Sequence, residues 1–412
     1  MDSRASKGWE VLIAGGGPAG ATVATLLARR GVRCLVVDSS AFPRYHIGES
    51  LAPGTNRIFQ EMGFLPKLEA SPFPEKRSVR FVSADGRTSY PFYFSDLLPP
   101  DQARTWQVER WTFDQMLLNH ARENGVDVWE DSQVAHISFE GDCAIGAEII
   151  RHREQRVTVP AQVVVDASGR GCLLGRQLGF RTLRNDLRKA SIWGYYQGGQ
   201  RATGLDAGET TIFLIPDGGW FWHIPLPDDL VSVGVVGPNE RLFRRSKHPE
   251  VAFHETMSQC PALLEKLETA RMTGRVLSMN QLAYANSQTS GNGWIMIGDA
   301  RAFLDPIYSS GLFLALSSAQ MAANTIQRAL QSGNLSAETL GAFEPVYNRG
   351  VEAIRHWVQT FYDPGFNFSN CLSPFPEQRH SLARCLIGDV FENLPYSCSD
   401  DLHHTPRPPL IA

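Results

Sequence analysis

The sequence has no run of 18 or more apolar residues, so no segment is long enough to cross a bilayer as a helix. It has no C-x-x-C pair. Its seven cysteines are scattered at 34, 143, 172, 260, 371, 385 and 398, which suggests neither zinc nor a redox dithiol and fits reduced thiols. There is little excess charge. A net charge of −4 offers no polyanion-binding surface, so no nucleic-acid partner is expected. No internal repeat is present. The start, MDSRASKGWE, is polar and carries no signal peptide, from which a cytoplasmic, membrane-free protein is expected. A composition of 43% hydrophobic and 20% charged residues is that of a globular protein, and 412 residues suffice for two or three lobes.

The stretch that is rich in information is VLIAGGGPAGATVATLLARRGVRCLVVD, Val11 to Asp38. A short apolar run, Val11 to Ala14, looks like a buried parallel strand. Gly15, Gly17 and Gly20 follow in G-x-G-x-x-G spacing. The first permits a tight turn, the second lets a pyrophosphate approach the backbone, and the third lets a helix pack closely on the strand. Ala21 to Arg30 reads as that helix, with Gly31 at its C-cap. A second apolar run, Cys34 to Val37, ends in Asp38, 18 residues after Gly20, where a carboxylate meets a ribose hydroxyl. A dinucleotide site is expected.

Further along, FPRYHIGES is a polar, glycine-broken loop, and APGTNRIFQEMG a helix with a glycine stop. SVRFVS and TSYPFYF are strands split by the turn Asp85-Gly86. Val108 to Asn124 is an amphipathic helix. Residues 186 to 285 are strand-rich with aromatic alternation (SIWGYYQGG, TIFLIP, WFWHIPL, SVGVV) and are expected to form an antiparallel sheet, interrupted by a helical insertion around HPEVAFHETM. WIMIGD is a further buried strand and Gly311 to Leu330 a long helix. The fold class is therefore α/β with an α+β second lobe. The expected units are a discontinuous Rossmann-like domain (8–75, 105–185 and 290–340), an interleaved β-sheet substrate domain (76–104 and 186–289), and a C-terminal helical region (341–412).

Three separated segments narrow the dinucleotide. Ala24, a small residue, faces the strand four residues beyond Gly20. VERWTFDQMLLNHA places Arg110 at a helix start, followed by Phe113 and Asp114. GDARAFLDPIYSSG places Asp299 at a strand end and Gly311 at a helix start. This arrangement, over about residues 8 to 330, resembles the two-domain FAD-dependent monooxygenases. Within that group Trp220-Phe221-Trp222-His223-Ile224-Pro225 matches the W-x-W-x-I-P signature of flavin-dependent halogenases, and the chain resembles that family's pyrrole and phenol branch. FPEKRSVRF, Phe73 to Phe81, aligns Lys76 with the family's catalytic lysine. It departs from the family at Arg77-Ser78, where a residue and a glycine are usual. Lys67 is the rival lysine, but it sits in helix-like LPKLEA and lacks the following aromatic.

The resemblance implies FAD as cofactor, delivered reduced as FADH2 by a separate flavin reductase, with chloride or bromide as co-substrate. It implies that Gly15, Gly17, Pro18, Ala19, Gly20, Asp38, Ser39, Arg44, Ile47, Ser50, Arg110, Val134, Asp299, Pro306 and Gly311 hold the cofactor. Ser310 and Gly311 would hold the halide. Trp220, Trp222, Ile224 and Pro225 would screen the substrate from the flavin, so that only a small oxidant passes to Lys76. Tyr308 is either packing or a catalytic hydroxyl. The implied activity is FADH2-dependent halogenation of a pyrrole or phenol, free or tethered to a carrier protein, by a monomer or homodimer. No equivalent of the glutamate of tryptophan halogenases can be placed, and no metal is implied. The alternative is an FAD-dependent aromatic hydroxylase that oxidises NADPH directly.

Overall fold

The computed structural model describes residues 8–216, 218–363 and 376–391. Val11–Ala14 is the centre of a six-stranded sheet in the order Ser290–Gly291, Trp294–Met296, Val163–Asp166, Val11–Ala14, Cys34–Val37, Asp127–Trp129. Its central pairs are parallel, with Val11 opposite both Val163 and Cys34. Val11–Ala14 and Cys34–Val37 are apolar throughout and, like Val163–Asp166, buried along their whole length, as a sheet covered on two sides requires. The helix after the glycine turn runs Pro18–Ala28 and so starts three residues earlier than the sequence suggests. Pro18 at its first turn needs no N–H partner there and pre-sets φ, which moves the start forward. Helices Arg110–Glu123 and Ser310–Ser332 pack beside it on the same core.

The second lobe is a seven-stranded sheet in the order Arg271–Met279, Lys189–Gln197, Leu230–Pro238, Gly219–Pro225, Thr210–Ile215, Ser78–Val82, Phe92–Tyr93. It is mixed and not wholly antiparallel as expected, because Thr210–Ile215 pairs in parallel with Ser78–Val82. That strand comes from the far-off 78–82 segment, not from a neighbouring hairpin, so no tight turn dictates its direction. Strand alternation gives the sheet two faces. Phe213, Phe221 and Val233 face helices Pro249–Met257 and Pro261–Lys266. Trp193, Ile212, Trp220, Trp222 and Ile224 face the other way, into a core shared with Trp357 and Ile354 of helix Glu344–Phe361.

Helix Pro376–Ile387 follows. The expected helical region thus holds two long helices among the described residues. Pro364 of the FYDP segment and the terminal DDLHHTPRPPLIA lie outside them. Cys34, Cys143, Cys172, Cys260 and Cys385 are unpaired, and Cys371 and Cys398 lie outside the described residues. Among the described residues no helix is long and apolar enough to cross a membrane.

Candidate active site

One cavity of about 1020 Å³ runs from the glycine turn of the first lobe to the aromatic face of the second. At the turn, the three glycines have separable jobs. Gly15 has φ +112°, and a Cβ on it would lie 2.3 Å from the Ala167 carbonyl oxygen. A Cβ on Gly20 would lie 1.9 Å from the Gly15 oxygen, so Gly20 serves the strand–helix crossing and does not line the cavity. A Cβ on Gly17 would meet only the end of the Arg44 guanidinium, at 3.0 Å, so this glycine opens onto the cavity. Pro18 and Ala19 follow on the wall, and the helix start beyond Gly17 has no side-chain cap. Its N–H groups fit an anionic group at that spot.

Asp38 and Ser39 border the same end. Asp38 Oδ2 accepts from the Gly16 amide at 2.7 Å and Oδ1 from the Ser40 amide at 2.9 Å, which fixes the carboxylate at the strand end. Val134 closes the wall nearby.

The loop 44–50 crosses from one lobe to the other. Asp114, wholly buried, accepts from Arg110 Nε at 2.7 Å, from Arg110 Nη2 at 3.0 Å and from Arg44 Nη1 at 3.1 Å. Arg110 Nη1 also donates to the carbonyls of Ile47 at 2.8 Å and Gly48 at 3.2 Å. The guanidinium thus stitches the loop to the helix start. The Arg110 charge beside His46, aided by burial, pushes the imidazole down to about 4, which keeps it neutral. Arg44, Ile47, Ser50 and Arg110 all border the cavity.

Asp299 lies in the helical turn Gly298–Ala300 after Trp294–Met296, on the cavity wall. Burial pushes its carboxyl up to about 6, opposed by the Arg110 and Arg170 charges. Pro306, Ser309, Gly311 and Leu312 continue the wall. Ser310 does not; it is buried as the first residue of helix Ser310–Ser332, and Ser309, held at φ +54°, takes its place at the surface of the cavity. Tyr308 donates to the Trp357 carbonyl at 3.0 Å and is fully buried, which is a packing arrangement.

The far wall carries Trp220, Trp222 and Ile224 on one face of strand Gly219–Pro225. The indole centroids are 6.1 Å apart. Trp222 Nε1 donates to Ser232 Oγ at 3.0 Å and Trp220 Nε1 to Tyr362 Oη at 2.8 Å. Gly234 is opposite both Trp222 and Trp193, and a Cβ there would sit 2.2 Å from the Trp222 ring. Only glycine leaves room for the two side chains. Pro225, paired with Val231, lies off the cavity.

Lys76 is also off the cavity wall. It sits in the short strand Glu75–Lys76, paired with Thr105–Trp106. Alternation turns Glu75 and Arg77 outward, where they pair with each other, and turns Lys76 inward. Its side chain is 1% exposed, its Nζ donating to Ser50 Oγ at 2.9 Å and to the Leu51 carbonyl at 3.1 Å. The Phe94 ring centroid is 5.6 Å away. With no carboxylate among these contacts, burial pushes the ammonium down to about 7. Lys67, by contrast, pairs with Glu123 at the surface. The usual family glycine after the lysine is Ser78 here, bonded to Asp206 and Glu209 at 3.3 Å each.

Two groups on or beside the cavity have no counterpart in the sequence reading. Glu49 is fully buried on the wall, and burial pushes its carboxyl up to about 7, with Ser232 and Tyr195 as donors pulling the other way. Asp305 accepts from Tyr362 Oη at 3.1 Å, which ties the end of helix Glu344–Phe361 to the wall at Trp220. A polar residue inside the IGES loop was the available signal for Glu49. The Tyr362 contact spans 57 residues and leaves no local sign.

A family model for tryptophan halogenases matches residues 10–103 and 101–367 of this chain. The 1H-pyrrole-2-carbonyl-[peptidyl-carrier protein] chlorinase of Pseudomonas fluorescens is 29% identical over 93% of this chain and 90% of its own. The corresponding brominase of Pseudoalteromonas luteoviolacea is 30% identical over 94% of this chain and 93% of its own. Among solved structures, the flavin-dependent brominase Bmp2 superposes with a TM-score of 0.85 at 28% identity, covering 94% of this chain and 95% of its own. The myxobacterial chondrochloren halogenase CndH does so with a TM-score of 0.82 at 30% identity, covering 93% and 90%.

Proposed function

Because the chain belongs to the flavin-dependent halogenase family, we propose that it halogenates a pyrrole ring held as an acyl thioester on a peptidyl carrier protein. The observation that carries this reading is likeness along nearly the whole of two relatives that act on carrier-bound pyrrole, one a chlorinase and one a brominase.

The enzyme uses FAD, which when bound and reduced supplies, with oxygen and halide, the electrophilic halogen equivalent. The open face at Gly17 and the uncapped helix start fit its pyrophosphate, Asp38 a ribose, and Arg44 the phosphate charge. Asp299 would accept from a ribityl hydroxyl, and the backbone at Ser309 and Gly311 would face the halide beside the ring edge. Trp220 and Trp222, side by side on one strand, would screen an acyl-bound pyrrole from the flavin and let only a small oxidant pass. Lys76, reached through Ser50, would hold that oxidant by hydrogen bond or as a chloramine. Its lowered proton affinity gives a sizeable neutral fraction near pH 7, and the neutral amine is the form with a free electron pair. Reduced flavin would come from a separate reductase.

The test compares the pyrrolyl-carrier thioester with free pyrrole-2-carboxylate in the presence of FAD, a reductase, NADH and halide. The reading expects halogen on the carrier-bound ring at a kcat/KM at least ~100-fold above that of the free acid. Equal use of both would remove the carrier from the account.

A further inference from the structure

The cavity is lined by residues of both lobes, and the reaction consumes a proton inside it. Converting FADH2, oxygen, halide, one proton and an arene to FAD, halogenated arene and two waters takes up a proton in each turnover. This balance rests on the halogenase reading. Two of the charged lining groups are committed elsewhere. Asp38 is held by two backbone amides, and Arg110 is engaged by Asp114 and the loop carbonyls.

Glu49 is different. It lines the cavity at 1% exposure, with the Ser232 hydroxyl facing its carboxyl although Oε2 makes no hydrogen bond of good geometry. Its Oε1 accepts from Tyr195 Oη at 2.7 Å. Tyr195 Oη lies 3.1 Å from Tyr45 Oη, and Tyr45, itself a lining residue of the cavity, is 44% exposed. Trp193 Nε1 donates to that same Tyr45 oxygen, which orients the hydroxyl proton away from the indole. Two contacts, each within proton-transfer distance, therefore link the buried Glu49 carboxyl to the exposed Tyr45 ring.

We propose that Glu49, Tyr195 and Tyr45 form a proton path from the exposed Tyr45 ring to the buried part of the cavity wall, with Glu49 as the inner end. A proton arriving at Tyr45 moves its hydroxyl proton to Tyr195, whose own proton passes to the Glu49 carboxylate. The carboxyl, now protonated at Oε1, turns about its Cγ–Cδ bond, delivers that proton into the cavity and turns back. No bond other than O–H forms or breaks, and the hydroxyls return to their starting orientation by rotation. The charges around Glu49 are Arg110 and Glu109 on helix Arg110–Glu123, with the tyrosines on strand Lys189–Gln197 and on the loop. Burial raises the Glu49 carboxyl to about 7, where it both gains and loses a proton readily.

The experiment uses the full chain loaded with FAD and reduced before mixing with oxygen, halide and pyrrolyl-carrier. Single-turnover halogenation is followed from about pH 6 to pH 9 in H2O and D2O for wild type, Tyr195→Phe, Tyr45→Phe and Glu49→Gln. Tyr196→Phe is the control, since its hydroxyl contacts Met257 on the other face of the sheet. The path predicts that Tyr195→Phe and Glu49→Gln slow halogenation at least ~10-fold at the alkaline end and raise the solvent isotope effect to ~2 or more. Small buffer acids should restore the rate. Wild-type rates, or a slowing that neither pH nor D2O alters, would overturn it. Should Tyr195→Phe lose FAD, Tyr45→Phe at the surface answers by the same readouts. Absence of any halogenated product in wild type would instead remove the carrier-bound pyrrole as substrate.

Discussion

Lys76 Nζ donates to Ser50 Oγ at 2.9 Å, and it is Ser50, not the lysine, that borders the cavity. The lysine is thus one hydroxyl removed from the space in which the oxidant would form.

The buried amine should leave a mark on stability. Its folded pKa, about 7, lies below the ordinary 10.5, so between these values the unfolded chain binds a proton that the folded chain does not. Stability attributable to this site therefore rises with pH across that window, and the cost of burial is fully present below about pH 7. Lys76→Met should gain over wild type in Tm as pH falls. The difference between the two should shrink by at least ~5 °C from pH ~6 to pH ~10. Thermal scans of the two proteins check this, and a pH-independent difference would contradict it.

The glycine turn makes a contrast within a few residues. Gly17→Ala should leave Tm within about 2 °C of wild type while weakening FAD binding at least ~10-fold, because its Cβ meets only a flexible guanidinium end. Gly20→Ala should instead destabilise the apo chain by ~3 kcal/mol or more, because its Cβ would lie 1.9 Å from backbone. Flavin fluorescence titration and urea unfolding separate the two effects.

Asp114→Asn removes the charge that two guanidiniums share. With Asp114 wholly buried and Arg110 nearly so, the loss should reach about 3–5 kcal/mol. Because Arg44 and Arg110 also border the cavity, FAD affinity should fall with it. Urea unfolding with and without FAD measures both.

Gly234→Ala places a methyl group 2.2 Å from the Trp222 ring and 2.5 Å from the Trp193 Cβ. Overpacking of this kind costs about 1–3 kcal/mol, and it should turn Trp222 away from Ser232. The expected result is a folded protein that oxidises reduced flavin at the usual rate but makes less halogenated product per flavin. Product yield against oxygen consumed gives the answer.

Much of this was legible in the sequence, for physical reasons. The glycine turn is local, and the steric demands at Gly15 and Gly20 act within one strand–turn–helix unit. The pair Trp220 and Trp222 follows from period-two alternation on a strand. The parallel pairing of Thr210–Ile215 with Ser78–Val82 joins segments far apart, and composition carries no sign of strand direction. The first-turn residue Ser310 was expected at the halide, yet the left-handed turn at Ser309 puts that neighbour on the wall. Lys76 was found by alignment with a family segment. Its seclusion behind Ser50 depends on pairing with the separate strand Thr105–Trp106, which no local pattern encodes. Glu49 and Tyr195 come together over 146 residues and were invisible for the same reason.

The role of Lys76 is the centre of the account, and one partition experiment addresses it. Reduced, FAD-loaded Lys76→Ala is mixed with oxygen, halide and pyrrolyl-carrier, and flavin oxidation and halogen on the carrier arm are recorded in the same sample. The account predicts flavin oxidation within about twofold of wild type and halogenation lowered at least ~100-fold. Halogenation that persists at the wild-type rate alongside normal flavin oxidation would contradict it.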